Sequence, residues 1–203
     1  MLAAEIFGFI AAILGVMQGI PQARRVRTLG HSQGVSLAMW MLMTSSSAAW
    51  LGYGIRTGSP SLVVSTVATG VINARVVLAI TADARRVAPR IALVFAAVVV
   101  TASIGPLWVV NPALFAFTLS RVPQILRSWR SRREGTGSSA VSIGSIAVSM
   151  GCLVSWEFYS VLLRSPTLIG TTTLALTTNI IVAWLELSGR PARTSAAGAR
   201  SGS

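Results

Sequence analysis

The stretch GIPQARRVRTLGHSQGVS, Gly19 to Ser36, closes one hydrophobic run, adds an arginine cluster and opens another hydrophobic run. About a hundred residues later RVPQILRSWRSRREGTGSSAVS, Arg121 to Ser142, repeats the order: Pro-Gln at the end of a run, arginines, small residues, then Val-Ser at the start of the next. Aligning the Pro-Gln pairs gives an offset of 102 and aligning the Val-Ser pairs gives 106, so the second basic loop is four residues longer. At the constant offset of 106, Val35/Val141, Ser36/Ser142, Trp50/Trp156, Tyr53/Tyr159, Ser59/Ser165, Pro60/Pro166, Leu62/Leu168, Thr66/Thr172, Asn73/Asn179 and Val76/Val182 are identical pairs. Apolar coincidences are common between hydrophobic segments, but paired Trp, Tyr, Pro and Asn without a gap are not. The chain is an internal duplication.

Composition says where such a chain lives. With 203 residues, 53% hydrophobic and 11% charged, it has too little polar surface to cover a soluble globule, and it is expected in a bilayer. A net charge of +12 would suit nucleic acid, but the charge falls in short clusters between apolar runs and lines no groove-binding helix, so no nucleic-acid partner is expected. All 17 basic residues are arginine, which with the abundant Ala, Gly and Val points to a bacterial source. The one cysteine, Cys152, sits inside an apolar run and reads as a buried free thiol. No cofactor or metal site is expected. The start, MLAAEIFGF, carries Glu5 where a cleavable signal peptide would carry basic residues, so the first run reads as a retained membrane helix.

A span needs about 20 mostly apolar residues. Seven stretches qualify or nearly so: Leu2 to Ile20, Val35 to Ile55, Leu62 to Ala82, Ile91 to Val110, Pro112 to Trp129, Val141 to Leu163 and Thr167 to Leu187. They are continuously apolar, which favours helices over barrel strands. Thirteen arginines (Arg24, Arg25 and Arg27; Arg85, Arg86 and Arg90; Arg127, Arg130, Arg132 and Arg133; Arg190, Arg193 and Arg200) fall on one side of the membrane, against Arg56 and Arg164 on the other. The asymmetry predicts an outside N-terminus and a cytoplasmic C-terminus, for a multi-pass protein of the cell membrane. The fold expected is all-α: two parallel three-helix repeats, residues 1–82 and 111–188, joined by a linker loop and linker helix at 83–110, with a disordered cytoplasmic tail at 189–203.

Pro-Gln at the end of the first helix, the basic loop, Gly-Val-Ser, and Trp-x-x-Tyr-Gly near the end of the second helix resemble the PQ-loop repeat superfamily, which includes the SWEET and SemiSWEET sugar facilitators and the lysosomal cystine and cationic amino-acid carriers. The resemblance covers both repeats and implies a 3+1+3 helix arrangement with an alternating-access path between the bundles. Sugar facilitators of this family place an asparagine 16 residues after the tryptophan, where this chain has Thr66 and Thr172, and prolines in the second helix, where it has Met39 and Ser145. Those departures bring it closer to the general PQ-loop group.

Candidate residues follow from the repeat. Pro21 and Pro123 each remove an amide donor opposite Met17 and Leu119, so Pro21-Gln22 and Pro123-Gln124 read as a pair of hinges or as plain helix ends. Trp50 with Tyr53, and Trp156 with Tyr159, lie three apart on one helix face, either as an interfacial belt or as flat surfaces for a sugar ring. Thr66 and Asn73, and Thr172 and Asn179, share faces of their helices and are assigned to substrate binding, with helix stapling as the alternative for the asparagines. Arg121 lies mid-span; it either pairs with Glu157 for structural reasons or binds a carboxylate substrate while Glu157 carries a coupling proton. Arg75 and Glu186 lie near enough to the cytoplasm to snorkel, and His31 needs no special role. Gly15 and Gly19 have GxxxG spacing, which fits internal packing or a homo-oligomer.

The function expected is a facilitator for a small polar metabolite, a sugar first. Alternatives are a proton-coupled amino-acid carrier and a non-transporting receptor or scaffold of the same fold. An enzyme is the least favoured class, for the chain has no HExxH, no nucleophile-base pair and no carboxylate cluster.

Overall fold

Proline and small polar residues mark where the chain turns. The computed structural model describes residues 1–29, 37–81, 83–119 and 143–188. Among the described residues are seven α-helices and no strand: α1 (Leu2–Leu29), α2 (Leu37–Thr57), α3 (Pro60–Ile80), α4 (Ala84–Ile104), α5 (Leu107–Leu119), α6 (Ile143–Leu162) and α7 (Pro166–Ser188). Ser59 caps α3 by accepting from the Leu62 amide at 3.2 Å, with Pro60 at the first helical position. Ser165 does the same for α7, from Leu168 at 3.5 Å ahead of Pro166. The α2–α3 turn puts Gly58 at φ +62°; the equivalent residue of the second repeat is Arg164, held at φ +52°. The same turn is thus made without the residue it suits best.

Helices α2, α3, α6 and α7 lie within about two residues of the expected spans. Four boundaries, in α1, α4 and α5, differ. Helix α1 does not stop at Pro21-Gln22 but runs on to Leu29, so Arg24, Arg25 and Arg27 belong to its last turns and not to a loop. The proline costs one backbone bond, while Gln22, Ala23, Arg24 and Arg25 are good helix formers and cations suit a helix C-terminus. Helix α4 begins at Ala84 rather than Ile91, because Asp83 caps it, accepting from the Arg86 amide at 3.2 Å and pairing with the Arg86 guanidinium at 3.1 Å. Arg85, Arg86 and Arg90 are therefore helical. The helix ends at Gly105-Pro106 instead of Val110, and α5 starts at Leu107 instead of Pro112. The tail 189–203 lies outside the described residues.

Helix α1 packs against α3 and α6, α2 against α3, α4 and α5, α5 against α7, and α6 against α7. Exchanging α1, α2 and α3 for α5, α6 and α7 maps each pairing among these six onto another of the set. Phe7 stacks on Phe158 with ring centroids 5.1 Å apart, and farther along Cys152 Sγ donates to Ala11 O at 3.3 Å, so α1 and α6 run antiparallel. Gly15 lies against Cys152 and serves this internal contact. Helix α4 leans on α2, where Ser103 Oγ donates to Gly52 O at 3.3 Å and Arg56 donates to Gly105 O at 2.5 Å. Ile13, Leu93, Ile104, Trp108 and Trp184 are largely exposed on the outside of the bundle, as suits a hydrocarbon surround. Among the described residues, three helical stretches, Pro60–Ala79, Ala84–Ile104 and Pro166–Trp184, are long and apolar enough to cross a membrane.

Candidate functional site

The ends of α2 and α6 converge with the starts of α3 and α7, because the Ser-Pro pairs that begin α3 and α7 return the chain beside the tyrosines one turn back. Tyr53 Oη and Ser165 Oγ hydrogen-bond at 3.1 Å, and Ser59 Oγ hydrogen-bonds Tyr159 Oη. Each bond joins a residue of one repeat to one of the other, and the second is the first with the repeats exchanged. Both tyrosines are buried, Tyr159 completely. Trp50 meets Tyr53 edge-on at 5.9 Å between ring centroids, and Trp156 meets Tyr159 at 5.2 Å. All four aromatics belong to one cluster with Ala49, Leu62, Leu114 and Leu168. The structure therefore packs the two expected aromatic pairs together in a core that closes one end of the bundle.

Helix α1 adds an acid to that end. Glu5 Oε2 accepts from the Ser61 amide at 2.9 Å, an anion set on the N-terminus of α3. Gly8 admits α3 and α6, since a Cβ there would lie 2.1 Å from Ser61 Oγ and 3.0 Å from Tyr159 Cδ2. Glu5, Gly8, Ser59 and Ser165 were not among the site residues expected from the sequence. The serines were visible as an identical pair before Pro60 and Pro166; nothing in the sequence marked Glu5 or Gly8, whose role depends on α1 crossing α3.

The asparagines act between helices. Asn73, buried on α3, donates to Met43 O at 3.3 Å and to Ser47 Oγ at 3.2 Å on α2, and Asn179 on α7 donates to Ser149 Oγ on α6 at 2.5 Å. Asn73→Ala is expected to loosen α2 from α3 by about 1 kcal/mol, lowering the unfolding temperature in detergent by a few degrees. An unchanged unfolding temperature would remove the stapling role.

Thr66 and Thr172 differ despite their identity. Thr66 Oγ1 donates back to Leu62 O at 2.7 Å, whereas Thr172 Oγ1 donates to Glu157 Oε2 at 2.5 Å, and Thr173 Oγ1 donates to Glu157 Oε1 at 2.9 Å. In the first repeat the positions of Glu157 and Thr173 are Leu51 and Val67. The carboxylate and its second hydroxyl partner thus occur together in one repeat only. Arg121, Pro123 and Gln124 lie outside the described residues, and so do the side chains of Pro21 and Gln22, whose backbone is helical.

Two cavities lie on the flanks. One of about 300 Å³ is lined by α2, α3 and α4, and one of about 260 Å³ by α1 and α3, both open to the outside; the paired aromatics, threonines and asparagines line neither. Comparison with curated proteins gives no match. A family model does match: residues 3–63, from α1 through the first turn of α3, are similar to the PQ loop repeat, the family that Pro21-Gln22 and Trp50-x-x-Tyr53 resemble.

Proposed function

We propose that the chain is a membrane carrier in which two parallel three-helix repeats, α1–α3 and the unit that includes α5–α7, rock about their junction to pass a small polar metabolite, with α4 as the linker span. The observation that carries this reading is the reciprocal Tyr-Ser pair, Tyr53 with Ser165 and Ser59 with Tyr159. Hydroxyl pairs close one end of the bundle at a cost in opening small enough to be reversed thermally. The contact pattern that survives exchange of the repeats supports the same view. In this reading the closed end, with Met1 and Glu5, faces outside, and the arginine-bearing ends of α1 and α4 face the cytoplasm of the cell membrane.

The substrate class proposed first is a sugar, with Trp50 and Trp156 as flat apolar surfaces exposed once the end opens. A proton-coupled amino-acid carrier is the second reading, and Glu157 with Thr172 and Thr173 is the observation that favours it, since an acid in a membrane helix is expensive and tends to mark function. Uptake of a labelled sugar and amino-acid panel into proteoliposomes, with and without a pH gradient, separates the two. Saturable sugar flux indifferent to the gradient, and retained in Glu157→Gln, is the expected result. Amino-acid flux driven by the gradient and lost in Glu157→Gln would replace the first reading by the second, and no flux for any solute would sink both.

A further inference from the structure

The cavity between α2, α3 and α4 sits at the arginine-bearing end of the molecule, apart from the repeat junction. Its α4 wall is Val87, Arg90, Ile91, Val94 and Phe95, one helical face. Met41, Thr44 and Ser45 of α2 and Val77 and Thr81 of α3 complete it. Thr81 closes α3 and Met41 lies one turn into α2, so the mouth is at the helix ends and the groove descends toward mid-membrane along α4. Its rim is continuous with outward apolar surface, for Met41, Leu42, Leu93 and Val94 are all exposed.

We propose that this groove is a binding site for an anionic phospholipid, one acyl chain lying along Ile91, Val94 and Phe95 and the phosphate held by Arg90. Charge selects the headgroup. Arg90 is six residues into α4, about 9 Å along the axis, exposed, and without an ion pair among the described residues. Arg86, one turn earlier, is already engaged by Asp83 at 3.1 Å, which leaves Arg90 as the groove's cation. Thr81 Oγ1 donates to Val77 O at 2.7 Å and keeps lone pairs for a headgroup hydroxyl, such as phosphatidylglycerol offers. A water-soluble ligand would turn its polar surface to an apolar wall open to the bilayer, whereas a lipid matches both parts of the site. Among the described residues no second helix corresponds to α4, and the groove is made there once.

The test uses the full chain purified in mild detergent, exposed to equimolar phosphatidylglycerol and phosphatidylcholine, with retained lipid counted by native mass spectrometry. The wild type is expected to keep one phosphatidylglycerol with about fivefold preference over phosphatidylcholine, the effect of one arginine near a lipid surface. Arg90→Gln should bring the two lipids to parity, Arg90→Lys should keep a preference, and Ser45→Phe, which fills the groove, should release the lipid while leaving Arg90 in place. Arg85→Gln, off the groove face, should behave as wild type. Equal retention of both lipids by the wild type, an unchanged preference in Arg90→Gln, or full retention in Ser45→Phe would each overturn the proposal.

Discussion

Gly52→Leu is expected to abolish accumulation of folded protein, and Gly52→Ala to cost about 1–3 kcal/mol, the usual range for forcing extra volume into a packed contact. A Cβ at Gly52 would stand 2.4 Å from Val99 O, 2.6 Å from Ala102 Cβ and 3.1 Å from Ser103 N. Two of those three are backbone atoms of α4, so no rotamer change relieves the clash and the helix itself must retreat. Retreat would stretch the Ser103 to Gly52 and Arg56 to Gly105 hydrogen bonds that close the same contact. Gly58→Ala is the control: nothing lies within 4 Å, and only the left-handed φ of +62° opposes it, at about 1 kcal/mol. Gly15→Ala meets only Cys152 Sγ at 3.6 Å and should be near neutral. Thermal unfolding in detergent should therefore rank Gly52→Ala below Gly58→Ala and both below Gly15→Ala. Equal unfolding temperatures for all three would refute the close α2–α4 packing.

The duplication is what made the fold readable. Continuous apolar runs located α2, α3, α6 and α7 to within about two residues, and the ten identical pairs at one offset matched α2 with α6 and α3 with α7. Where hydropathy and local helix chemistry disagree, hydropathy misleads. Arg24 to Arg27 and Arg85 to Arg90 look like loops to a hydropathy scan, yet arginine favours helix, an Asp83 cap starts α4 early, and both segments are helical. Gly105-Pro106 ends α4 before the apolar run does, since the run continues unbroken into α5. The site was partly legible for a similar reason. Tyr53, Tyr159, Asn73 and Asn179 were marked by repetition, but what each touches was not: that the tyrosines reach serines of the opposite repeat, and that the asparagines bond to α2 and α6, follows from helix crossings that no spacing along the chain encodes. Glu5 shows the limit, a unique residue whose partner, the Ser61 amide, lies 56 positions away.

Tyr53→Phe combined with Tyr159→Phe is expected to unlatch the closed end. Phenylalanine keeps the ring, its packing in the aromatic cluster and its edge-on contact with the tryptophan, and removes only the hydroxyl. Each lost hydroxyl pair is worth about 0.6–1 kcal/mol, or roughly threefold to fivefold in the balance between closed and open. Both bonds sit in one aromatic cluster, where effects couple, and the double variant is expected to shift the balance by on the order of tenfold. The readout is the labelling rate of Ala49→Cys, a buried position of the same cluster, by a membrane-impermeant maleimide in a Cys152→Ser background. A rate that rises by that factor in the double variant supports a latch; a rate equal to that of the parent means the aromatic core, and not the hydroxyls, holds the end shut. The serine variants discriminate further. Ser59 Oγ also accepts from Leu62 N, and Ser165 Oγ from Leu168 N, so Ser59→Ala and Ser165→Ala remove a helix cap along with the cross-repeat bond and should cost about 0.5–2 kcal/mol more in unfolding stability than the matching Tyr→Phe change. Opening would then track the cross-repeat bond alone, whether lost from the tyrosine or the serine side, while global stability would fall only where the cap is lost, and that divergence is what separates a gate from a general brace.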